Sequence, residues 1–243
     1  MPVYNSEIYI KKTIDTVLNQ TFQNWRLIII DDGSVDCTKK ILENYYKKIK
    51  NKKKILILKN YVNKGQAFSR NKGLKYSRSK FVSFLDSDDT WSKNKLKNQI
   101  KFMLNNNYDF TYTDYRAIKD NKIINIKVPN FYDYSKFVHD TSIVTSSIIL
   151  RRKIIKKINF KNFRFLEDYY FKCQILKKKI IAIRFPGFYT NYFVRNNSLQ
   201  SNRLIVLFNL WIINNKNNQM NFFQNLTSIF FIIINSIKKY GFR

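Results

Sequence analysis

Asp86, Asp88 and Asp89 close an apolar run, Lys80-Phe81-Val82-Ser83-Phe84-Leu85, in a chain where 45 Lys and Arg face only 16 Asp and Glu. Asp86 and Asp88 stand two apart, so on an extended or turn backbone both can face one cation from the same side. Carboxylate oxygens suit a hard divalent ion that also holds phosphates, such as Mg²⁺ or Mn²⁺. An Asp- and Ser-rich turn is by itself a common surface feature, so the reading depends on its surroundings. A second acidic pair, Glu167-Asp168, lies in the aromatic stretch Phe165 to Phe171. At the start of a helix such a pair would also complement the dipole.

The elements that must hold these acids alternate. Asn5 or Ser6 can cap a helix carrying Ile10, Ile14, Val17 and Leu18. Arg26 to Ile30 is a continuous apolar run, as expected of a strand buried on both faces. It ends in the turn signal Asp31-Asp32-Gly33-Ser34, after which Asp36 can cap a helix with Ile41, Leu42 and Tyr45. Lys54 to Leu58 predicts the next strand, Gln66 to Ser77 a helix, and Lys80 to Leu85 the strand that leads to Asp86. Ser92 is the expected N-cap of a helix bearing Leu96, Ile100, Met103 and Leu104. Strand–helix alternation of this kind predicts an α/β fold with a mostly parallel sheet and helices on both faces. Strand-end acids then lie where open sheets of this class bind ligands. Further on, Phe110 to Thr113, Ile143 to Leu150, Ile180 to Arg184 and Phe188 to Val194 read as strands. The tail, Leu204 to Ile213 and a second apolar segment ending in Lys238-Lys239-Tyr240, predicts two short helices that dock on the domain or lie at a membrane surface.

Composition bounds the partners. A formal charge of +29 favours nucleic acid, anionic membrane or phosphorylated ligands. Zinc-finger spacing, a basic zipper and aromatic RNA-binding strand motifs are missing from the sequence, which argues against nucleic acid. Cys37 and Cys173 lack metal-type spacing and read as ordinary thiols of a reduced compartment. His139 is the one histidine, which gives little support to a Ser/His triad or a histidine-rich metal site. Met1-Pro2-Val3-Tyr4-Asn5 carries no signal-peptide pattern. The run Ile229 to Ile234 falls short of the ~20 residues of a spanning helix.

Taken in order, Met1-Pro2-Val3-Tyr4-Asn5, Gln20-Thr21-Phe22 through Trp25 to Asp31-Asp32-Gly33-Ser34, Asn63-Lys64-Gly65 with Arg70-Asn71-Lys72-Gly73, and Phe84 to Trp91 resemble family 2 glycosyltransferases of the GT-A fold. The likeness is dense over about residues 1–118 and looser over 145–201. The whole layout is similar to bacterial enzymes of the teichuronic-acid or lipopolysaccharide type. The resemblance implies a catalytic domain over 1–202, with a donor half of about 1–118 and an acceptor half of about 119–202. Residues 203–243 would form a helical tail. It also implies a nucleotide-diphosphate sugar over the carboxyl ends of the first strands, with Pro2 and Tyr4 bordering the base and Asp32 on its ring nitrogen. Arg70 would lie near the base or phosphates, Asp86 at the ribose and Arg195 near the donor diphosphate. Asp88 would hold Mn²⁺ or Mg²⁺. Asp168, with Glu167 as the alternative, would deprotonate the acceptor hydroxyl.

The activity so implied is inverting, metal-dependent transfer of a sugar to a glycan or lipid-linked acceptor in cell-surface polysaccharide synthesis. It would take place in the cytoplasm at the inner face of the membrane. Members of this type carry an apolar strand directly before the Pro-Val-Tyr-Asn segment, and here Met1 stands where that strand would be ending. The centre of the sheet is therefore expected to lack a strand and to show two unpaired edges. An inactive remnant of such a transferase and a basic nucleic-acid-binding protein are the alternative readings.

Overall fold

The computed structural model describes residues 1–48, 52–120, 122–163, 165–195 and 203–240. Strand β2 (Leu27–Asp32) is the apolar run of the sequence, and its aliphatic side chains make it the middle of a parallel three-stranded sheet. β3 (Ile55–Asn60) pairs along its full length on one side, Leu27 opposite Ile55 through Asp32 opposite Asn60. On the other side stands β1 (Pro2–Val3), two residues long, with Pro2 opposite Ile30 and Val3 opposite Asp31. The Met1 amine donates to Ile28 O at 3.0 Å and Ile30 N donates to Met1 O at 2.9 Å, extending this short ladder.

Helix α1 (Ile10–Leu18) buries Ile10, Thr13, Ile14 and Val17 at helical spacing against the sheet. α2 (Thr38–Lys48) buries Leu42 and α3 (Gln66–Tyr76) buries Ala67, Ser69 and Arg70. Asp36 caps as expected, its Oδ1 accepting from Thr38 N at 3.0 Å. Asn5 and Ser6 do not cap through their side chains. α1 starts at Ile10 after a turn in which Ser6 O accepts from Tyr9 N and Ile10 N.

The second sheet is mixed. β4 (Phe81–Ser83), β5 (Thr90–Trp91), β6 (Phe110–Lys119), β7 (Lys122–Ile126), β8 (Phe131–Tyr132), β9 (Ile149–Arg151) and β10 (Ala182–Phe193) build it in the order β4-β9-β6-β10-β5, with β7 on β6 and β8 on β10. β10 runs parallel to β6 and the other pairings are antiparallel. Among the described ladders β4 pairs with β9 and not with β1, so the strands fall into two sheets. Helix α4 (Lys95–Asn105) packs Leu96, Ile100 and Met103 inward. α5 (Tyr134–Phe137) is a single turn and α6 (Glu167–Leu176) is buried along most of its length. α7 (Arg203–Ile212) and α8 (Phe222–Tyr240), joined through a π turn at Ile213–Asn217, form the two predicted tail helices. Among the described residues no helix is long and apolar enough to cross a membrane.

Three local expectations are corrected. Residues 143–150 are not one strand, because the hydroxyls of Thr145, Ser146 and Ser147 draw that stretch into a 3-10 turn before β9. The segments 180–184 and 188–194 are one strand, kinked against β6 where Gly187 takes φ +118°. Ser92 is not the cap of α4. Its carbonyl accepts Lys95 N, while the side chain of Gln20 in the preceding layer accepts Leu96 N at 3.1 Å.

The core falls into two clusters that meet at the acidic turn. Leu85 belongs to the one with Val3, Ile14, Ile29 and Met103. Its neighbour Phe84 points the other way, into the one with Phe110, Tyr112, Tyr169 and Phe171. The Phe84 ring meets Phe160 and Phe171 edge-on, at 5.2 and 5.7 Å, and those two stack at 3.9 Å. Because Phe171 lies on α6, one aromatic cluster fixes the acidic turn against the helix that carries Asp168.

Candidate active site

Asp86 to Asp89 form a closed turn at the end of β4, with Asp89 N donating to Asp86 O. The turn is pinned from outside its own sheet. Ser146 Oγ accepts Asp86 N at 3.1 Å and donates to the Asp89 carboxylate. Thr13 on α1 donates to Ser87 O at 2.9 Å, and the Ser6 and Ser87 hydroxyls are 2.8 Å apart. Asp89 is buried and also accepts Phe193 N. Burial, then the charges of Asp88 and Asp86, push its carboxyl well above the ordinary range. It serves as an internal peg of the turn.

Asp86 and Asp88 remain partly accessible and face two different arginines. Arg70 is buried and donates from Nη2 to Asp86 at 2.7 Å and from Nη1 to Glu167 at 2.5 Å. It therefore ties the strand-end turn to the first turn of α6. Arg195 holds Asp88 at 2.8 Å and lies 3.8 Å above the Tyr9 ring. Burial and the charge of Asp86 raise the Asp88 pKa, and Arg195 opposes them. Two carboxylates sharing one turn, each paired with an arginine, make a place where positive charge is favoured.

The two acids of α6 have separate surroundings. Glu167 is turned inward onto Arg70, and burial raises its pKa against that partner. Asp168 accepts from Thr145 Oγ1 at 2.7 Å and from Lys172 Nζ at 2.8 Å, both on Oδ2. Burial acts to raise its pKa, but the charges of Lys172 and Arg70 outweigh it and hold the carboxyl far below the usual range. Among the described residues nothing donates to Oδ1. Leu166, in the left-handed region at φ 61°, turns the chain into α6 so that both acids fall in its first turn.

On the opposite flank, Asp32 is buried and accepts from Asn60 Nδ2, Lys64 N and Gly65 N at 2.6, 3.0 and 2.8 Å. It organises the loop after β3. Gly33, at φ +75°, lets that loop close in, since a Cβ there would stand 2.7 Å from the carbonyl carbon of Val62. Pro2 is buried in β1, while Tyr4 is exposed just beyond it, as is Tyr61 beyond β3. The structure thus brings Asp86, Arg70, Glu167 and Asp168 into one connected group, with Asp88 and Arg195 beside it and Tyr4 and Asp32 along the parallel strand ends.

Sequence reading did not single out Thr145, Ser146, Lys172 or Tyr61. Three consecutive hydroxyl residues in an apolar stretch were the available signal for the first two. Lys172, four residues after Asp168, had the ordinary spacing of a helical ion pair. Two shallow surface hollows, on α5–α6 and on α4, contain none of these residues.

A parallel three-stranded sheet beside a mixed one, with a strand-end acidic turn tied by a buried arginine to a second acid, is an α/β arrangement of the GT-A class. Solved structures agree. The chain superposes on Staphylococcus aureus TarS 1-349 in complex with UDP-GlcNAc with a TM-score of 0.72, 21% identity, and coverage of 98% of this chain and 71% of that one. For the mannosyltransferase PcManGT from Pyrobaculum calidifontis, in complex with GDP-Man and Mn2+, the TM-score is 0.70 at 14% identity, covering 100% and 74%. The family model for glycosyl transferase family 2 matches residues 1–185, and the chain belongs to that family. It is 36% identical to the Escherichia coli UDP-Glc:alpha-D-GlcNAc-diphosphoundecaprenol beta-1,3-glucosyltransferase WfgD, over 100% of this chain and 94% of that one. It is 30% identical to the putative teichuronic acid biosynthesis glycosyltransferase TuaG of Bacillus subtilis, over 98% and 94%.

Proposed function

We propose that this protein transfers a sugar, with inversion, from a UDP-sugar to a hydroxyl of a saccharide carried on a diphospholipid, in the synthesis of a cell-surface polysaccharide. The observation that carries the reading is the Asp86–Arg70–Glu167 bridge, which couples a strand-end acidic turn to Asp168 on a separate element. The relatives WfgD and WfaP of Escherichia coli, each named for a UDP-Glc donor and a GlcNAc-diphosphoundecaprenol acceptor, supply the substrate class.

Tyr4 and Tyr61, exposed at the ends of the parallel strands, offer ring faces to a base. Asp32 shapes the loop beside them. Asp88, with the charge of Asp86 behind it, would hold Mn²⁺ or Mg²⁺ in place of the Arg195 guanidinium that now pairs with it. When bound, the ion would neutralise charge developing on the departing diphosphate. Asp168 takes the proton of the acceptor hydroxyl at Oδ1, while Thr145 and Lys172 fix Oδ2. The freed oxygen attacks the anomeric carbon from the side opposite the diphosphate, whose oxygen leaves with the bonding pair, so one displacement inverts the centre. Glu167 acts on Arg70 instead of on the acceptor. The low pKa of Asp168 keeps it ionised throughout the physiological range and places its contribution in orientation as much as in proton affinity.

The test is transfer from labelled UDP-Glc to a GlcNAc-diphospholipid analogue with and without Mn²⁺. Wild type should turn over only with the ion. Asp168→Asn should lose roughly 10²–10⁴-fold in turnover with UDP affinity retained, and Asp88→Asn should lose metal-dependent UDP binding. Folded protein that shows no metal-dependent binding or turnover with UDP-, GDP- or dTDP-sugars would refute the reading.

A further inference from the structure

The tail helices bury one apolar face on the domain and leave a second set of large apolar side chains in water. Leu204 and Phe208 on α7, and Phe222, Phe223, Leu226 and Phe230 on α8, are each more than half exposed. On α8 they recur at four-residue steps, which makes one stripe. The inward face packs Leu210, Ile213, Ile229 and Ile232 on the core and carries polar groups beside them. Asn214, Asn218, Asn225 and Ser228 are buried and bonded to one another or to the domain. Asn214 Nδ2 donates to Ser228 Oγ at 3.1 Å, Ser228 Oγ donates to Val138 O at 2.6 Å, and Asn225 Nδ2 donates to Trp211 O at 3.0 Å. The Trp211 and Phe222 rings meet at 5.5 Å and hold the two helices together at the turn.

We infer that the α7–α8 hairpin is a docking face for a bilayer containing anionic lipid. Charge selects the occupant. Lys216 stands exposed in the turn and Lys238 at the far end of α8, so basic residues flank the apolar stripe as they do on helices that lie in an interface. The chain as a whole carries +29, which draws it to an anionic surface and opposes pairing with a second copy of itself. Nucleic acid is not matched by a stripe of Phe and Leu.

Hydrogen bonds and an ion pair also connect the face to the neighbourhood of Asp168. Tyr169, the next residue, donates from its hydroxyl to Asn214 at 2.7 Å. Lys239 pairs with Asp140, and the segment beyond it leads to Ile143 and Thr145, which bond Lys172 and Asp168. Docking would hold the acceptor side of the site at the lipid surface, a consequence that rests on the lipid-linked acceptor proposed above; the docking itself does not.

Flotation with vesicles of two parts phosphatidylcholine to one part phosphatidylglycerol tests it. Wild type should float with these vesicles and much less with phosphatidylcholine alone. The variant Phe208→Ser/Phe223→Ser/Phe230→Ser should bind at least tenfold more weakly, with unchanged thermal midpoint and UDP affinity. In wild type, brominated lipid should quench tryptophan emission through Trp211, a readout that needs no variant. Absence of flotation or of quenching overturns the inference. So does a triple variant that floats like wild type, or a wild-type dimer that the variant converts to monomer. Transfer to an acceptor analogue without its lipid, left intact in the triple variant, separates failure here from failure of the transferase reading.

Discussion

Replacing Arg70 by Met removes a charge from between two carboxylates while keeping most of the side-chain volume. In the structure the Arg70 side chain is 2% exposed, against 11% for Glu167 and 29% for Asp86. Asp86 can recover some hydration, so the cost falls mainly on Glu167, which is left charged, buried and without its partner. Breaking a buried ion pair on one side costs ~3–5 kcal/mol. At ~2–4 °C per kcal/mol for a chain of this size, Arg70→Met should melt ~6–20 °C below wild type at neutral pH. Adding Glu167→Gln should return much of that loss, because the second substitution removes the stranded charge. The deficit should also shrink as pH falls. Burial already raises the Glu167 pKa, and loss of Arg70 raises it further, so the folded variant takes up a proton that the unfolded chain binds only at lower pH. Differential scanning fluorimetry of the wild type, both single variants and the double variant, between neutral and mildly acidic pH, gives the cycle. A loss under ~2 °C for Arg70→Met, or no recovery in the double variant, would refute Arg70 as the charge that joins the two halves of the site.

Two further measurements follow from other charged groups. Lys95 is fully buried beside Gln99 Oε1 and the Trp91 ring, and burial lowers its pKa from 10.5 to about 7. The unfolded chain then binds the extra proton between those values, so stability should rise with pH above neutrality, by up to ~1.4 kcal/mol per pH unit. The slope should be absent in Lys95→Met, and equal slopes in the two proteins would contradict the assignment. Arg195→Ala frees Asp88 of its guanidinium and should strengthen Mn²⁺ binding to the free protein several-fold while weakening UDP-sugar binding. Calorimetry that finds Mn²⁺ affinity unchanged or reduced would count against Asp88 as the metal ligand.

Features that local chemistry dictates were legible in the sequence. β2 is readable because a strand buried on both faces has no polar alternation, and Asp36 is readable because a cap acts over two residues. The scarcity of acids isolates Asp86, Asp88, Glu167 and Asp168 as candidates. Their division of labour was not legible. That Glu167 turns onto Arg70 and Asp168 onto Thr145 depends on partners 97 and 23 residues away. The same holds for Ser146, which reaches Asp86 across 60 residues and in doing so turns an expected strand into a 3-10 turn. Periodicity also separates β10 into two strands at Pro186-Gly187, because a bulge interrupts the pattern while the pairing with β6 continues.

Helix α1 shares its core with Val3 and Ile29 of the three-stranded sheet, and apart from the bonds of Lys11 and Asp15 to Tyr45 its long-range polar bonds go to the other one. Thr13 bonds Ser87 O, Thr16 accepts Trp91 N, Gln20 bonds Ser92 O and Leu96 N, and Thr21 just beyond the helix pairs with Lys93 O. A splice between two members of the family would therefore fail if it followed the visible division between the sheets. The interchangeable cassette is the stretch from Asn5 through Asn105, in which α1 travels with the acidic turn it clasps. The crossover belongs in the exposed loop after α4.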